Sequence, residues 1–100
     1  MSTMSNTYTV LVVDDDDFSR ELLVRILADS GIETQKANSG AECLKAVNDN
    51  PPNLILLDIV MPEIDGYEVC RLLKACKKTK NIPILFITAM EGEADEVKGL

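Results

Sequence analysis

The 100-residue sequence contains no histidine, and its three cysteines include no Cys-x-x-Cys pair. Because structural zinc sites are built from histidine and paired cysteine ligands, this composition disfavours a zinc centre. The odd number of cysteines predicts free thiols in a reducing, cytoplasmic compartment. Cys43 and Cys70 lie among apolar helix residues, so we expect both to pack in the core.

Long apolar runs and positive charge are also scarce. No apolar segment approaches the length of a membrane span, and residues 1–9 are too polar for a signal peptide. The sequence has ten Lys and Arg residues and 17 Asp and Glu residues, which give a net charge of −7. This negative charge argues against direct binding to nucleic acid or to an anionic membrane. No glycine-rich loop follows the first apolar run, which disfavours a dinucleotide- or flavin-binding domain.

Apolar runs alternate with segments of helical periodicity along the whole chain. Hydrophobic residues make up 46% of the sequence, enough for the core of one domain. The alternating order predicts an α/β fold in which helices cover both faces of a doubly wound parallel sheet. The predicted strands are 8–13, 33–37, 54–57 and 82–88, and the predicted helices are 17–30, 40–48, 67–77 and 91–100.

Burial follows from the same patterns. Four consecutive apolar residues, 54–57, predict a fully buried central strand. A capping box at Ser39 and Glu42 opens the second helix, which should direct Leu44 and Val47 inward. In the first helix, three- and four-residue spacing predicts a buried stripe that ends at Gly31 and comprises Phe18, Leu22, Leu23, Ile26 and Leu27.

The spacing of the predicted strands indicates an incomplete domain. The strands begin 21 to 28 residues apart, so a fifth would begin near residues 105–110, past the end of the chain. We therefore expect a disordered N-terminal segment at 1–7 and an incomplete domain at 8–100 that lacks its fifth strand and last helix. Such a domain would leave a sheet edge and apolar helix faces uncovered, which makes a second copy of the chain a candidate partner.

Two of the predicted strands end abruptly in aspartate. Residues 10–13 lead into four aspartates at 14–17, and residues 54–57 lead into Asp58. If these strands are neighbours, Asp14, Asp15 and Asp58 share one pocket. At an effective dielectric near 20, each pair of carboxylates about 5 Å apart costs roughly 3 kcal/mol. Such a cluster requires a cation or a raised pKa, so it points to a functional site.

The residue types in this pocket favour phosphoryl chemistry. Carboxylate ligands without histidine or cysteine select Mg²⁺ or Mn²⁺. Asp58 stands alone at its strand end and is the candidate nucleophile toward phosphorus. Thr88, beside the small Ala89, can donate a hydrogen bond to a phosphoryl oxygen. Asp16 and Asp17 fit the start of the following helix better than the pocket.

Three motifs in this order resemble the receiver domain of two-component response regulators. They are Val12-Val13-Asp14-Asp15, then Leu57-Asp58-Ile59-Val60-Met61-Pro62 with Asp65-Gly66, then Ile87-Thr88-Ala89. The resemblance covers residues 8–100. It implies a flavodoxin-like fold with strand order 2-1-3-4 in this chain, which sets the first and third strands side by side.

The resemblance also implies roles for individual residues. Asp58 would take a phosphoryl group from a histidine of a sensor kinase or of a phosphotransfer protein, without turnover of an external substrate. Asp15 would bind Mg²⁺ directly and Asp14 mainly through water, while Asp58 and the backbone carbonyl of Val60 complete the protein ligands. Thr88 would be the switch hydroxyl, and an output domain or a downstream protein would respond.

Two alternatives to the phosphoacceptor function stay open. The family carries a lysine and an aromatic switch residue on its fifth strand, and neither Lys80 nor Lys98 matches that lysine, so a pseudo-receiver that binds partners without phosphate is one alternative. A phosphohydrolase of the haloacid dehalogenase type is the other, although it needs a second acid where Val60 stands. Because Val60 and Met90 are apolar, we expect slow hydrolysis of a phosphoryl group on Asp58.

Overall fold

The computed structural model describes residues 8–87, in which four strands alternate with three helices. The strands are all parallel and lie in the order β2-β1-β3-β4, which confirms the predicted flavodoxin-like sheet. None of the helices in this part of the chain has the length and apolarity to cross a membrane. The elements are β1 (Thr9–Val13), α1 (Asp17–Asp29), β2 (Glu33–Ala37), α2 (Gly40–Asp49), β3 (Leu54–Asp58), α3 (Gly66–Lys74) and β4 (Ile84–Ile87).

The register of the sheet aligns the carboxyl ends of its strands. Val13 at the end of β1 pairs with Ala37 of β2 on one side and with Leu57 of β3 on the other. Asp58, the last residue of β3, pairs with Ile87 of β4. Residues that follow β1 and β3 therefore meet at one edge of the sheet. The helix predicted at 91–100 lies outside the described residues.

The main core lies between the sheet and the two helices α2 and α3. Its members are buried apolar side chains, and each large one contributes about 1.5–3 kcal/mol to folding. Cys43 belongs to this core, where burial raises the pKa of its thiol to about 12, and Cys70 packs against it, as predicted for both. Cys76 is exposed. The core comprises Leu11, Val13, Ala37, Cys43, Val47, Ile55, Leu57, Met61, Val69 and Leu73, with Leu44 partly buried beside it.

The predicted buried stripe of α1 is wrong for three of its five residues. Phe18, Leu22 and Ile26 are 76%, 48% and 53% exposed, whereas Leu23 and Leu27 are half-buried. The apolar residues form two adjacent rows along the helix; α1 packs on β1 and β2, and the row with Leu23 and Leu27 is the more buried of the two. Helical spacing identifies an apolar face, but it does not state how wide a strip of that face the sheet covers.

The prediction that residues 54–57 are fully buried is also only half right. Ile55 and Leu57 face the main core and are completely buried, whereas Leu54 and Leu56 point to the opposite face and are partly exposed. Leu56 pairs with Leu85 of β4, which is also exposed. The α1 side of the sheet is thus well covered at β1 and less covered at β3 and β4 within residues 8–87.

Side-chain caps explain where the helices begin. Asp16 accepts a hydrogen bond from the Ser19 amide at 2.8 Å, which confirms a helix-start role for Asp16. Ser39 accepts from the Glu42 amide at 3.1 Å and so opens α2 as the capping box predicted. Asp65 caps α3 in the same way, so that helix begins at Gly66.

Candidate phosphoacceptor and metal site

The loop between β1 and α1 holds Asp14 and Asp15 at the carboxyl edge of the sheet. The Asp14 amide donates to the carbonyl oxygen of Ala37 at 3.1 Å, so Asp14 extends the contact between β1 and β2 by one residue. Its carboxylate accepts a hydrogen bond from the Asp16 amide at 3.0 Å. Asp14 is buried, whereas Asp15 is exposed. The two adjacent acids therefore differ in environment although they share one loop.

The structure brings three of the predicted site residues together. Asp58 ends β3 next to β1 and is only 9% exposed. One carboxylate oxygen from each of Asp14, Asp15 and Asp58 lies within 4.8 Å of the other two. These oxygens are close enough to bind one small cation together. The neighbouring positions of β1 and β3 in the sheet produce this arrangement.

The pKa of Asp58 reflects its burial and the neighbouring carboxylates of this pocket. Burial, followed by the negative charge of Asp14, raises the pKa of Asp58 from 3.8 to about 6. The backbone amide of Val60 lowers the pKa of Asp58, but it is a weaker influence than burial or the charge of Asp14. At neutral pH the Asp58 carboxylate is therefore mostly ionised at a cost in free energy, which a bound cation would remove.

The donor set fits Mg²⁺ or Mn²⁺. Three carboxylates supply hard oxygen ligands, and a hard divalent cation would stabilise their ionised forms against the repulsion seen at Asp58. One oxygen from each of Asp14, Asp15 and Asp58 is close enough to the others to share such an ion. Val60 is 73% exposed and follows Asp58 by two residues. The ligand role of its carbonyl oxygen stays a prediction.

Thr88, Ala89 and Met90 lie outside the described residues. The proposed hydroxyl contact of Thr88 and the apolar flank from Met90 therefore stay predictions. The segment that precedes them is described as far as Ile87, whose carbonyl oxygen accepts a hydrogen bond from the Ile59 amide at 3.2 Å. This bond places the end of β4 beside the loop that follows Asp58.

Two residues that support the site were not identified from the sequence. Gly66 had been interpreted only as part of an Asp-Gly turn, yet its amide donates to the Ile59 carbonyl at 2.8 Å and its α-carbon packs against the Asp58 backbone. Arg20 donates from Nη1 to the carbonyl oxygen of Asp14 at 3.0 Å. The three-residue spacing to Asp17 signals an ion pair on α1, but no sequence pattern signals a contact to a backbone carbonyl.

Comparisons with known proteins agree with this fold. The family model described as "Response regulator receiver domain" matches residues 10–100. Response regulator MprA of Mycobacterium sp. (strain KMS) is 41% identical over 91 residues, which are 91% of this chain and 39% of that protein. The uncharacterized transcriptional regulatory protein YrkP of Bacillus subtilis is 41% identical over 93 residues, or 93% of this chain and 38% of YrkP.

Solved structures of response regulator proteins are also similar to this chain. The N-terminal domain of a response regulator receiver protein from Methanoculleus marisnigri JR1 matches with a TM-score of 0.78 and 39% identity, over 91% of this chain and 76% of that one. A putative response regulator from Chloroflexus aurantiacus matches with a TM-score of 0.82 and 36% identity, over 94% and 77% of the two chains.

The parallel α/β sheet, the acidic pocket at its carboxyl edge and these matches together identify the chain as a signalling module of the kind found in two-component systems. The chain belongs to the response regulator receiver domain family, whose members bind Mg²⁺ at the acidic pocket. This confirms the family and the receiver function predicted from the sequence motifs. The chain spans 39% of the length of the curated relative MprA.

Proposed function

We propose that Asp58 accepts a phosphoryl group from a histidine of a sensor kinase or of a phosphotransfer protein. The observation that carries this proposal is the convergence of Asp14, Asp15 and Asp58 within 4.8 Å, with a raised pKa at Asp58. Asp58 is the member of the three that ends a central strand, where it pairs with Ile87 of β4 and follows directly on Leu57, which pairs with Val13 of β1. A fixed, crowded carboxylate is a suitable nucleophile once a cation neutralises its surroundings.

The transfer moves one phosphoryl group between two side chains. A carboxylate oxygen of Asp58 forms a bond to phosphorus while the phosphorus–nitrogen bond of phosphohistidine breaks, and the electron pair stays on the imidazole nitrogen. When bound at this site, Mg²⁺ or Mn²⁺ would supply positive charge against the phosphoryl oxygens. Asp15, Asp58 and the Val60 carbonyl would hold the ion directly, and Asp14 would hold it mainly through water. Thr88 would donate its hydroxyl to a phosphoryl oxygen.

The partners follow from this chemistry. The protein would act as a phosphoacceptor, with no turnover of an external substrate, in the cytoplasm. Phosphorylation would change how residues 8–100 contact an output domain or a downstream protein. The N-terminal segment expected at residues 1–7 lies outside the described residues. The net charge of −7 disfavours direct contact with nucleic acid or a membrane. The exposed apolar side chains of α1, including Phe18 and Leu22, are a candidate surface for self-association.

Incubation with a small acyl phosphate and Mg²⁺, followed by intact mass measurement, tests the proposal. We expect the chain to gain the mass of one phosphoryl group and Asp58→Asn to gain none. Asp29→Asn is the matched control, because Asp29 is an exposed aspartate at the far end of α1. No adduct on the wild-type chain would favour a pseudo-receiver, and continuous release of phosphate from added esters would favour a phosphohydrolase.

A further inference from the structure

The guanidinium group of Arg20 ties the loop between β1 and α1 to the first turn of α1. Nη1 donates to the carbonyl oxygen of Asp14 at 3.0 Å, and Nη2 donates to the carboxylate of Asp17 at 2.6 Å. Nε lies 3.6 Å from the carboxylate of Glu21. The Arg20 side chain is only 12% exposed, although the preceding sequence, with aspartates at 14–17, is highly polar. A long cationic side chain is thus held in one place by three oxygen groups.

This contact acts on the peptide that joins Asp14 to Asp15. The Asp14 amide is already bound to Ala37, and the Asp14 carboxylate is bound to the Asp16 amide. Arg20 binds the remaining polar group of Asp14, its carbonyl oxygen. The side chain of Asp15 is exposed, so its direction depends on the orientation of this peptide. Fixing the peptide therefore fixes how Asp15 approaches Asp14 and Asp58.

We infer that Arg20 is a positioning residue for the proposed metal site, which it serves by holding the Asp14–Asp15 peptide. The inference rests on the proposed function, because it assumes that Asp14, Asp15 and Asp58 hold a divalent cation. Arg20 is itself a cation and binds no metal. Its role is comparable to that of outer residues that orient the ligands of known metal sites.

Positioning and simple charge predict opposite effects on metal affinity. Arg20 carries a positive charge near three carboxylates, so its charge alone would weaken the binding of a second cation. Removing that charge would then tighten Mg²⁺ binding. If Arg20 instead orients Asp15, its removal loosens the peptide and weakens Mg²⁺ binding. The sign of the change therefore separates the two roles.

Calorimetric titration of the intact chain with MgCl₂ at neutral pH tests this inference. We expect Arg20→Gln to bind Mg²⁺ about tenfold more weakly than the wild-type chain, as for other residues that orient metal ligands. Arg25→Gln is the matched control, since it removes the same charge from an exposed position on the same helix and should not weaken binding. Arg20→Lys keeps the charge but lacks the planar fork, so we expect an intermediate loss.

Each outcome of this titration has a definite meaning. Equal or tighter Mg²⁺ binding by Arg20→Gln would overturn the positioning role while leaving the proposed function intact. If Arg20→Gln does not fold, the Mg²⁺ affinity of Arg20→Lys tests the inference instead. Wild-type Mg²⁺ affinity in Arg20→Lys would then overturn the positioning role. Absence of Mg²⁺ binding by the wild-type chain would overturn both the metal site and the inference. Phosphorylation of Asp58, measured separately, shows whether the acceptor role survives.

Discussion

Gly66, the first residue of α3, lies directly against the backbone of Asp58, the last residue of β3. A Cβ atom at position 66 would overlap the carbonyl oxygen of Asp58 and lie 2.8 Å from the Cα of Ile59. The Gly66 amide also donates to the Ile59 carbonyl at 2.8 Å. The end of the central strand and the start of the helix are therefore in contact at the proposed phosphoacceptor.

We expect Gly66→Ala to destabilise the fold and to weaken the site together. Forcing a methyl group into this contact should cost about 2 kcal/mol of unfolding free energy, because backbone atoms rather than a flexible side chain must move. The displaced Asp58 backbone should also reduce Mg²⁺ affinity. Urea unfolding and calorimetric titration of the same variant measure the two effects.

Gly31→Ala provides the control for that experiment. Gly31 has φ of 84° at the end of α1, and no heavy atom lies near the position a Cβ would take. Alanine there should cost about 1 kcal/mol through backbone strain alone, with Mg²⁺ affinity unchanged. Wild-type Mg²⁺ affinity in Gly66→Ala would show that the contact does not position Asp58.

The raised pKa of Asp58 predicts a pH-dependent difference between the wild-type chain and Asp58→Asn in the absence of metal. Burial and the charge of Asp14 raise this pKa from 3.8 to about 6 in the folded state. The stabilising contribution of protonated Asp58 is fully present below pH 3.8 and is lost as the pH rises through about 6. Asp58→Asn carries no such loss, so its advantage over the wild-type chain should grow between about pH 4 and pH 6 and level off at higher pH.

The stability advantage of Asp58→Asn should be about 2–3 kcal/mol larger near pH 7 than below pH 3.8, because the pKa of Asp58 is raised to about 6 in the folded state. Urea unfolding in the presence of EDTA at several pH values measures it. Mg²⁺ at about 100 times its Kd should stabilise the wild-type chain alone, by about 2.7 kcal/mol. A difference between the two proteins that stays constant with pH would contradict the assignment of the raised pKa to Asp58.

The buried hydroxyl of Thr79 is predicted to stabilise the turn between α3 and β4. Its Oγ1 donates to the carbonyl oxygen of Leu73 at 2.6 Å, and Thr79 is buried although several lysines surround it in the sequence. Thr79→Val keeps the shape but leaves the Leu73 carbonyl without this donor, which should cost about 1–2 kcal/mol. Thr79→Ser keeps the hydroxyl and should cost less. Thermal unfolding measures the stability of both variants. Equal losses of stability in Thr79→Val and Thr79→Ser would contradict the hydrogen-bond explanation.

Local patterns in the sequence predicted the sheet and the acidic site well. The strand Glu33–Ala37 has the predicted bounds, and the aspartates that follow β1 and β3 meet because parallel strands align their carboxyl ends. These features depend on residue type and short spacing. The flavodoxin-like order of the strands came from the family motifs rather than from periodicity.

The features that sequence reasoning missed depend on tertiary packing. The exposure of Phe18 and Leu22 depends on how much of α1 the sheet covers, which helical spacing does not specify. The bond from Arg20 to the Asp14 carbonyl depends on one rotamer of a long side chain. The contact of Gly66 with Asp58 depends on how closely α3 returns to β3. Each requires the three-dimensional arrangement of elements that are separate in sequence.

Val60 is predicted to prolong the life of a phosphoryl group on Asp58. Its side chain is 73% exposed two residues after Asp58, and an apolar group cannot hydrogen-bond the water that would attack phosphorus. Val60→Asn should orient such a water and accelerate dephosphorylation by about tenfold, less than a true general base supplies. Val60→Leu should leave the rate near wild type. Loss of the phosphoryl adduct over time, followed by intact mass, measures the rates, and equal rates for Val60→Asn and wild type would contradict this role.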